Sequence, residues 1–294
     1  MNHLDTGTTM KAIFATRRSQ SQLSGFTDVD SHQTPRSLVE YLDLTNTNLL
    51  AKSCKQIVLK ALDPQPGEHV LEVGCGVGHM AFELATMVGH AGRVTGIDSS
   101  TIMIKEAEKR ARYAGGFPIE FRVEDAHQLS FADDTFDGGL IVSTLIHVRD
   151  PKEVLSELLR VVKPGKRIAV QEGDWDTMVL STGNTEVDGT MVSVLRHTIR
   201  NSGIGHRLST LMKILGFTDI TVGAGTVMAL DFHSANEAWR IEESIEGAKQ
   251  TKALSAVQAK MLMRELMRAS RTGKFFGAAT GFVVTGRKPF NPTS

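Results

Sequence analysis

The 294-residue sequence predicts an α/β protein. Its sheet should be doubly wound, seven-stranded and mostly parallel, with the last strand antiparallel, N-terminal helices ahead of it and a helical insertion before that last strand. Three observations lead there. Short apolar runs alternate with helical periodicity from residue 68 to 172, the pattern of consecutive βαβ units. The first run, Val70-Leu71-Glu72-Val73, breaks into glycines at alternate positions, Gly74, Gly76 and Gly78, before a helix begins. Near the C-terminus, strand-like stretches at 218–223 and 278–286 flank a long helical segment.

Taken in order, Thr34-Pro35 joins a hydroxyl N-cap to a first-turn proline. Leu38, Tyr41, Leu42, Leu49, Leu50, Ile57 and Val58 then mark one or two helices to Ala61, with Asn46-Thr47-Asn48 as the candidate break. Asp63-Pro64-Gln65-Pro66-Gly67 turns the chain into a strand at 68–73. Ala81, Leu84, Ala85 and Val88 predict a helix over 77–90. A strand at 93–98 ends in Asp98, and Ser99-Ser100-Thr101 offers caps for a helix to Tyr113. Ile119, Phe121 and Val123 alternate in a strand at 118–123, and the apolar run 136–142 suits a parallel strand covered on both faces. Asp150-Pro151-Lys152-Glu153 opens a helix that Lys163-Pro164-Gly165 stops. A strand at 166–172 follows, and Glu172-Gly173-Asp174-Trp175-Asp176 leaves it toward the substrate side. Beyond Trp175, residues 186–202, 204–215 and 235–271 read as helices, and Met261, Met263 and Met267 read as core.

Composition narrows the function. Thirty-three basic residues balance 33 acidic ones, so no global field gathers nucleic acid or an anionic membrane. No apolar run approaches the ~18 residues of a membrane span. Cys54 and Cys75 are too few for a disulfide scaffold, which fits a reducing, cytoplasmic compartment. The ten histidines show no metal-ligand spacing, so no metal is expected. Residues 1–33 read as a flexible leader; Asp5, Asp28 and Asp30 argue against a transit peptide.

The glycine turn excludes one cofactor class. A dinucleotide fingerprint has its third glycine three residues after the second, and here that position is His79. Asp98, at the tip of the second strand, suits bidentate capture of a ribose.

Glu72-x-Gly74-x-Gly76-x-Gly78, then Asp98, Glu124-Asp125-Ala126 and Phe136-Asp137 resemble class I S-adenosylmethionine-dependent methyltransferases. The small-molecule branch typified by the ubiquinone and menaquinone C-methyltransferases is the nearer likeness, over about residues 60–172. A weaker likeness runs on through Gly216-Phe217 to Pro289. The resemblance implies S-adenosyl-L-methionine as cofactor, held by Glu72, Gly74, Cys75, Gly76, Gly78, Asp98, Ser99, Met103, Glu124, Asp125, Ala126 and Ser143. It divides the chain into the leader, a helical cap at 34–62, a cofactor-binding core at 63–173, and lid helices with completing strands at 174–294.

For the acceptor, the reading is a small hydrophobic molecule of quinone, isoprenoid or other natural-product type. Tyr41 and Trp175 are the candidate substrate residues. His147 is the candidate base, since it lies just past the fourth strand, although a structural role competes. Glu172 and Asp174 are candidate polar orienters of the acceptor. The alternatives are a protein or RNA methyltransferase, and an enzyme that keeps the fold and uses the cofactor without methyl transfer.

Overall fold

The computed structural model describes residues 25–47, 49–113 and 116–290, without the side chains of residue 47 and of 49–54. Two N-terminal helices, α1 (Pro35–Thr47) and α2 (Leu49–Leu62), precede β1 (His69–Val73), α3 (His79–Val88), β2 (Arg93–Asp98), α4 (Thr101–Ala111) and β3 (Ile119–Val123). Then come β4 (Phe136–Val142), α5 (Pro151–Val161), β5 (Val162–Ser181), α6 (Thr185–His197), α7 (Ile204–Ile214) and β6 (Thr218–Ala229). Helices α8 (Phe232–Trp239), α9 (Ile241–Gln250) and α10 (Ala256–Arg271) lead into β7 (Phe276–Arg287).

The strands form one seven-stranded sheet in the order β3-β2-β1-β4-β5-β7-β6. Strands β1 to β5 are parallel neighbours, while β7 is antiparallel to both β5 and β6. The pleat sends alternate residues into two cores. Leu71, Val73, Ile141, Ile168 and Val170 enter the one shared with α5, α6 and α7; Val70, Leu140 and Ala169 enter the one shared with α2 and α3. This two-sided cover requires the apolar runs seen in the sequence.

Several boundaries differ from the sequence reading. The helix expected over 77–90 is shorter at both ends, because Gly78 (φ 88°) and Gly89 (φ 67°) take left-handed backbone that stops helical propagation. The fifth strand does not end at 172: it runs for 20 residues, and its outer part pairs with β7 through Asp174↔Thr280 and Val179↔Ala278. Of the three methionines read as core, Met261 and Met267 lie on the outer side of α10, 38% and 42% exposed.

Residues 1–24 of the expected leader, and Cys54's side chain, lie outside the described residues. Residues 25–33, read as part of the leader, are held against the fold. Val29 packs with Leu38, Val77 and Met103, and Phe26 lies against that cluster. Asp30 binds the N-terminus of α4, accepting from the Thr101 and Ile102 amides at 2.9 and 3.2 Å and from Ser100 Oγ at 2.5 Å. An acid filling first-turn amides at the positive end of a helix dipole is enough to fasten the segment.

Candidate functional site

The strand tips of β1 to β5 open into a cavity of about 740 Å³, covered by α1, α8 and the segment around Phe26. That volume suits a small-molecule site. Every site residue expected from the sequence lines it except two: Glu172, which turns into the core, and Gly78, which starts α3 and whose Cβ would meet the Phe121 ring at 2.7 Å.

At the centre is the glycine turn. The Gly74 and Cys75 amides both bond Ile97 O at 2.8 Å, fastening the turn to β2. Gly74 has φ 73°, and a Cβ there would come within 2.2 Å of Thr144 Oγ1. A Cβ on Gly76 (φ 52°) would meet Leu42 of the cap at 3.0 Å. Asp98 braces the same turn: Oδ2 accepts from the Gly76 amide and Oδ1 from the Ser100 amide, each at 2.9 Å. Burial raises its pKa against the pull of those amides.

Glu72 lies beneath the turn, 2% exposed, with Oε2 lacking a hydrogen-bond partner among the described residues. Burial pushes its pKa to about 8 despite the attraction of Lys55. Burial likewise pushes the Cys75 thiol up, aided by the charges of Glu72 and Asp98, which disfavours the reactive thiolate.

At the tip of β3, Glu124 accepts from Ser130 Oγ (2.6 Å) and Ser130 N (3.1 Å). Asp125 Oδ1 takes the His127 amide at 2.9 Å and Nδ1 at 2.6 Å. Because the Asp150 amide donates to His127 Nε2 at 3.2 Å, the ring carries its proton on Nδ1 and donates it to Asp125. Ala126 completes this wall, and Ser99 and Met103 line the cavity beside it.

The turn after β4 carries Ser143, at φ 51°, and His147. Glu172 Oε1 accepts from the Thr144 amide at 2.9 Å and the Leu145 amide at 2.6 Å. Asn201 holds the turn from the other side: Nδ2 donates to Leu145 O (2.7 Å) and Val148 O (2.9 Å), and its amide to Ile146 O (3.1 Å). Glu172 is thus no acceptor ligand but a buried clamp. Its side chain is fully buried, Oε2 has no partner among the described residues, and burial lifts its pKa to about 8 against the amides that favour the charged form.

His147 is half-buried in the cavity wall, 5.5 Å from the Phe26 ring, with its buried Nδ1 lacking a partner among the described residues. Burial, with repulsion from Arg200, depresses its pKa to about 3, so the ring is neutral at physiological pH. Asp174, the other candidate orienter, is taken by the amide and Nδ1 of His206 at 2.6 and 2.7 Å, although it still lines the wall.

Aromatic and apolar side chains also line the cavity. Tyr41 lies 5.8 Å from Phe26 and beneath the Arg240 guanidinium, 5.3 Å from the ring centroid; burial raises its pKa to about 12. Trp175, Trp239, Val227 and Ala279 continue the wall. Phe26, Arg200 and Trp239 were not foreseen in the sequence. Phe26 sits in a polar stretch, and the two others come from lid segments with no motif.

A polar clasp holds α1 over the turn. Asp43 receives Arg110 through Nη1 (2.7 Å) and Nη2 (3.0 Å), and His79 Nε2 at 2.9 Å, while Asn46 Nδ2 lies 3.2 Å from His79 Nδ1. Among the described residues no group of three or more His, Cys, Asp or Glu is placed to hold a metal, and no helix is long and apolar enough to cross a membrane.

A model of the methyltransferase domain family matches residues 64–214. An uncharacterized 37.1 kDa protein from a Streptomyces fradiae transposon is 34% identical over 247 residues, 84% of this chain and 70% of that one. The demethylmenaquinone methyltransferase of Desulfitobacterium hafniense is 32% identical over 167 residues, covering 53% of this chain and 65% of that enzyme. This chain therefore spans just under two thirds of that relative's length. Among solved structures, Haemonchus contortus phosphoethanolamine N-methyltransferase 2 in complex with S-adenosyl-L-methionine superposes with a TM-score of 0.58 at 19% identity, over 90% of this chain and 60% of the other, which shows a shared fold.

Proposed function

Because this chain belongs to the methyltransferase domain family, we propose that it transfers a methyl group from S-adenosylmethionine to a small hydrophobic acceptor of quinone, isoprenoid or other natural-product type. One observation carries the reading: a single cavity is lined both by the glycine turn with Asp98 and by the aromatic side chains of Phe26, Tyr41, Trp175 and Trp239. The first suits a nucleoside and amino-acid cofactor, the second an apolar acceptor. The quinone class has its support in the demethylmenaquinone methyltransferase relative.

The residues fit the cofactor. Each Asp98 oxygen spends one acceptor site on a backbone amide and keeps another for a ribose hydroxyl. The orphaned Glu72 Oε2 beneath the turn offers a carboxylate to a cationic ligand group, whose arrival would lower the raised pKa. Met103 and Ala126 supply apolar contact for a base. When bound, S-adenosylmethionine supplies a methyl on a positively charged sulfur, a leaving group that needs no protonation.

What the chain contributes is alignment and exclusion of water. In this reading residues 34–62 close the cavity over the core at 63–173, and residues 174–294 supply the acceptor wall. Ser143 and His147 line the cavity from a turn held by Glu172 and Asn201. A ring with a pKa near 3 is a weak base, because proton transfer is most effective when the pKa lies near the working pH. His147 therefore orients the acceptor through its vacant nitrogen.

The test is to incubate the protein with methyl-labelled S-adenosylmethionine and a panel of quinols, isoprenoids and polyketide-like phenols, with peptide and RNA as controls. Label should appear in an apolar small molecule. Labelling of peptide or RNA alone would overturn the acceptor class, and cofactor binding without any methylated product would overturn the reaction.

A further inference from the structure

We propose that the outer face of α10 docks this protein on an anionic phospholipid surface. The zero net charge of the chain hides a local concentration: Lys260, Arg264, Arg268 and Arg271 recur every three or four residues along the helix, hence on one face. Beside them stand Val257, Met261 and Met267, which are 79%, 38% and 42% exposed. The inward face, by contrast, buries Ala259, Leu262, Leu266 and Ala269.

The helix has a single acid, Glu265, which pairs with Arg268 at 2.8 Å and Arg264 at 3.5 Å. Lys260 and Arg271, with Lys274 just beyond the helix, have no ion pair among the described residues. A capping box between Ser255 and Gln258 fixes the first turn. The face therefore exists without a partner to induce it.

Charge complementarity and exposed apolar groups together select the occupant. Cations alone would suit any polyanion, including nucleic acid, whose phosphates are met by Lys and Arg without help from methionine or valine. A lipid surface uses both, because the cations reach the headgroups while the apolar side chains between them enter the acyl boundary. The inward face packs on α8, the helix that brings Ala238 and Trp239 to the cavity wall. Docking would thus bring the cavity's own cover to the membrane. The inference stands on the helix alone and not on the identity of the acceptor.

Flotation of the full chain with vesicles tests it, comparing pure phosphatidylcholine with an equimolar mixture of phosphatidylcholine and phosphatidylglycerol. Binding is expected only to the mixed vesicles and should weaken as salt rises. The double variant Lys260→Glu/Arg264→Glu should bind at least ~10-fold more weakly, each cation near such a surface being worth about a fivefold change. Met261→Ser/Met267→Ser should also weaken binding while leaving its salt dependence unchanged. Thermal unfolding of each variant checks that the fold is intact. Absence of binding to the mixed vesicles would overturn the proposal, as would binding indifferent to the charge reversal. So would preferential capture of double-stranded RNA with the methionine variants unaffected.

Discussion

Replacing Glu172 by Gln should change stability with opposite signs at the two ends of the pH scale. Glu172 is fully buried, and its pKa stands at about 8 in the fold against an ordinary 4.5. The raised value means that the stability present below pH 4.5, where the group is protonated in folded and unfolded chains alike, is lost as pH climbs to 8. At ~1.36 kcal/mol per pH unit the complete loss is roughly 5 kcal/mol. Gln keeps the Oε1 acceptor for the Thr144 and Leu145 amides and never ionises, but puts an amide nitrogen where Oε2 has no partner, at a cost of about 1–3 kcal/mol. The variant should therefore be about 2–4 kcal/mol more stable than the parent at pH 9 and about 0–2 kcal/mol less stable at pH 5. Glu72, which shifts in the same direction, is present in both proteins and cancels. Urea unfolding at pH 5, 7 and 9 reads this directly. Two stability curves separated by the same amount at every pH would show that Glu172 is ionised in the fold throughout, and the argument would fall.

Three further outcomes are expected. Asp98→Ala should weaken S-adenosylmethionine by about 2–4 kcal/mol in a calorimetric titration, and unchanged affinity would remove Asp98 from the ribose site. Gly74→Ala combines a left-handed φ with a clash on Thr144 and should cost about 2–5 kcal/mol of stability. Adding Thr144→Ala should recover part of that loss, and strict additivity of the two changes would contradict the clash. His147→Ala should keep cofactor binding and lose roughly tenfold in turnover, about 1.4 kcal/mol, with His147→Gln largely restoring it. A Gln variant as inactive as Ala, with turnover falling below an apparent pKa of ~6–7, would instead make His147 the base.

The parts of the fold legible in the sequence are those set by local chemistry. Glycines at 74, 76 and 78, apolar runs feeding a two-sided sheet, and the Asp150-Pro151 cap each impose a backbone conformation on the spot. What escaped depends on partners far along the chain. The extension of β5 to Ser181 mixes acids with apolar residues in sequence and becomes strand because β7 lies beside it. Glu172 reads as an acid at a strand tip, yet it is one residue out of phase with Gln171 and Gly173, which line the cavity, and so turns inward. Asp30 and Phe26 carry no periodic signal; a helix terminus and an apolar cluster formed by distant segments give them their places.

The pairing of β5 with β7 bears on how ligands enter and leave. The two strands stay in register from Arg167↔Arg287 to Ser181↔Phe276, with one irregularity between Asp174 and Val179, so the core and the outer wall share a single hydrogen-bonded ribbon. Swinging that wall away would break ladder bonds along the way. The cover formed by α1 is fastened differently, by the Asp43, Arg110 and His79 side chains and a small apolar cluster. Side-chain fastenings at a half-exposed carboxylate open at far lower cost than a sheet tears, and they loosen as salt rises. Of the two walls, the α1 side is therefore the one whose opening costs less, with the Asp43 clasp as its fastening.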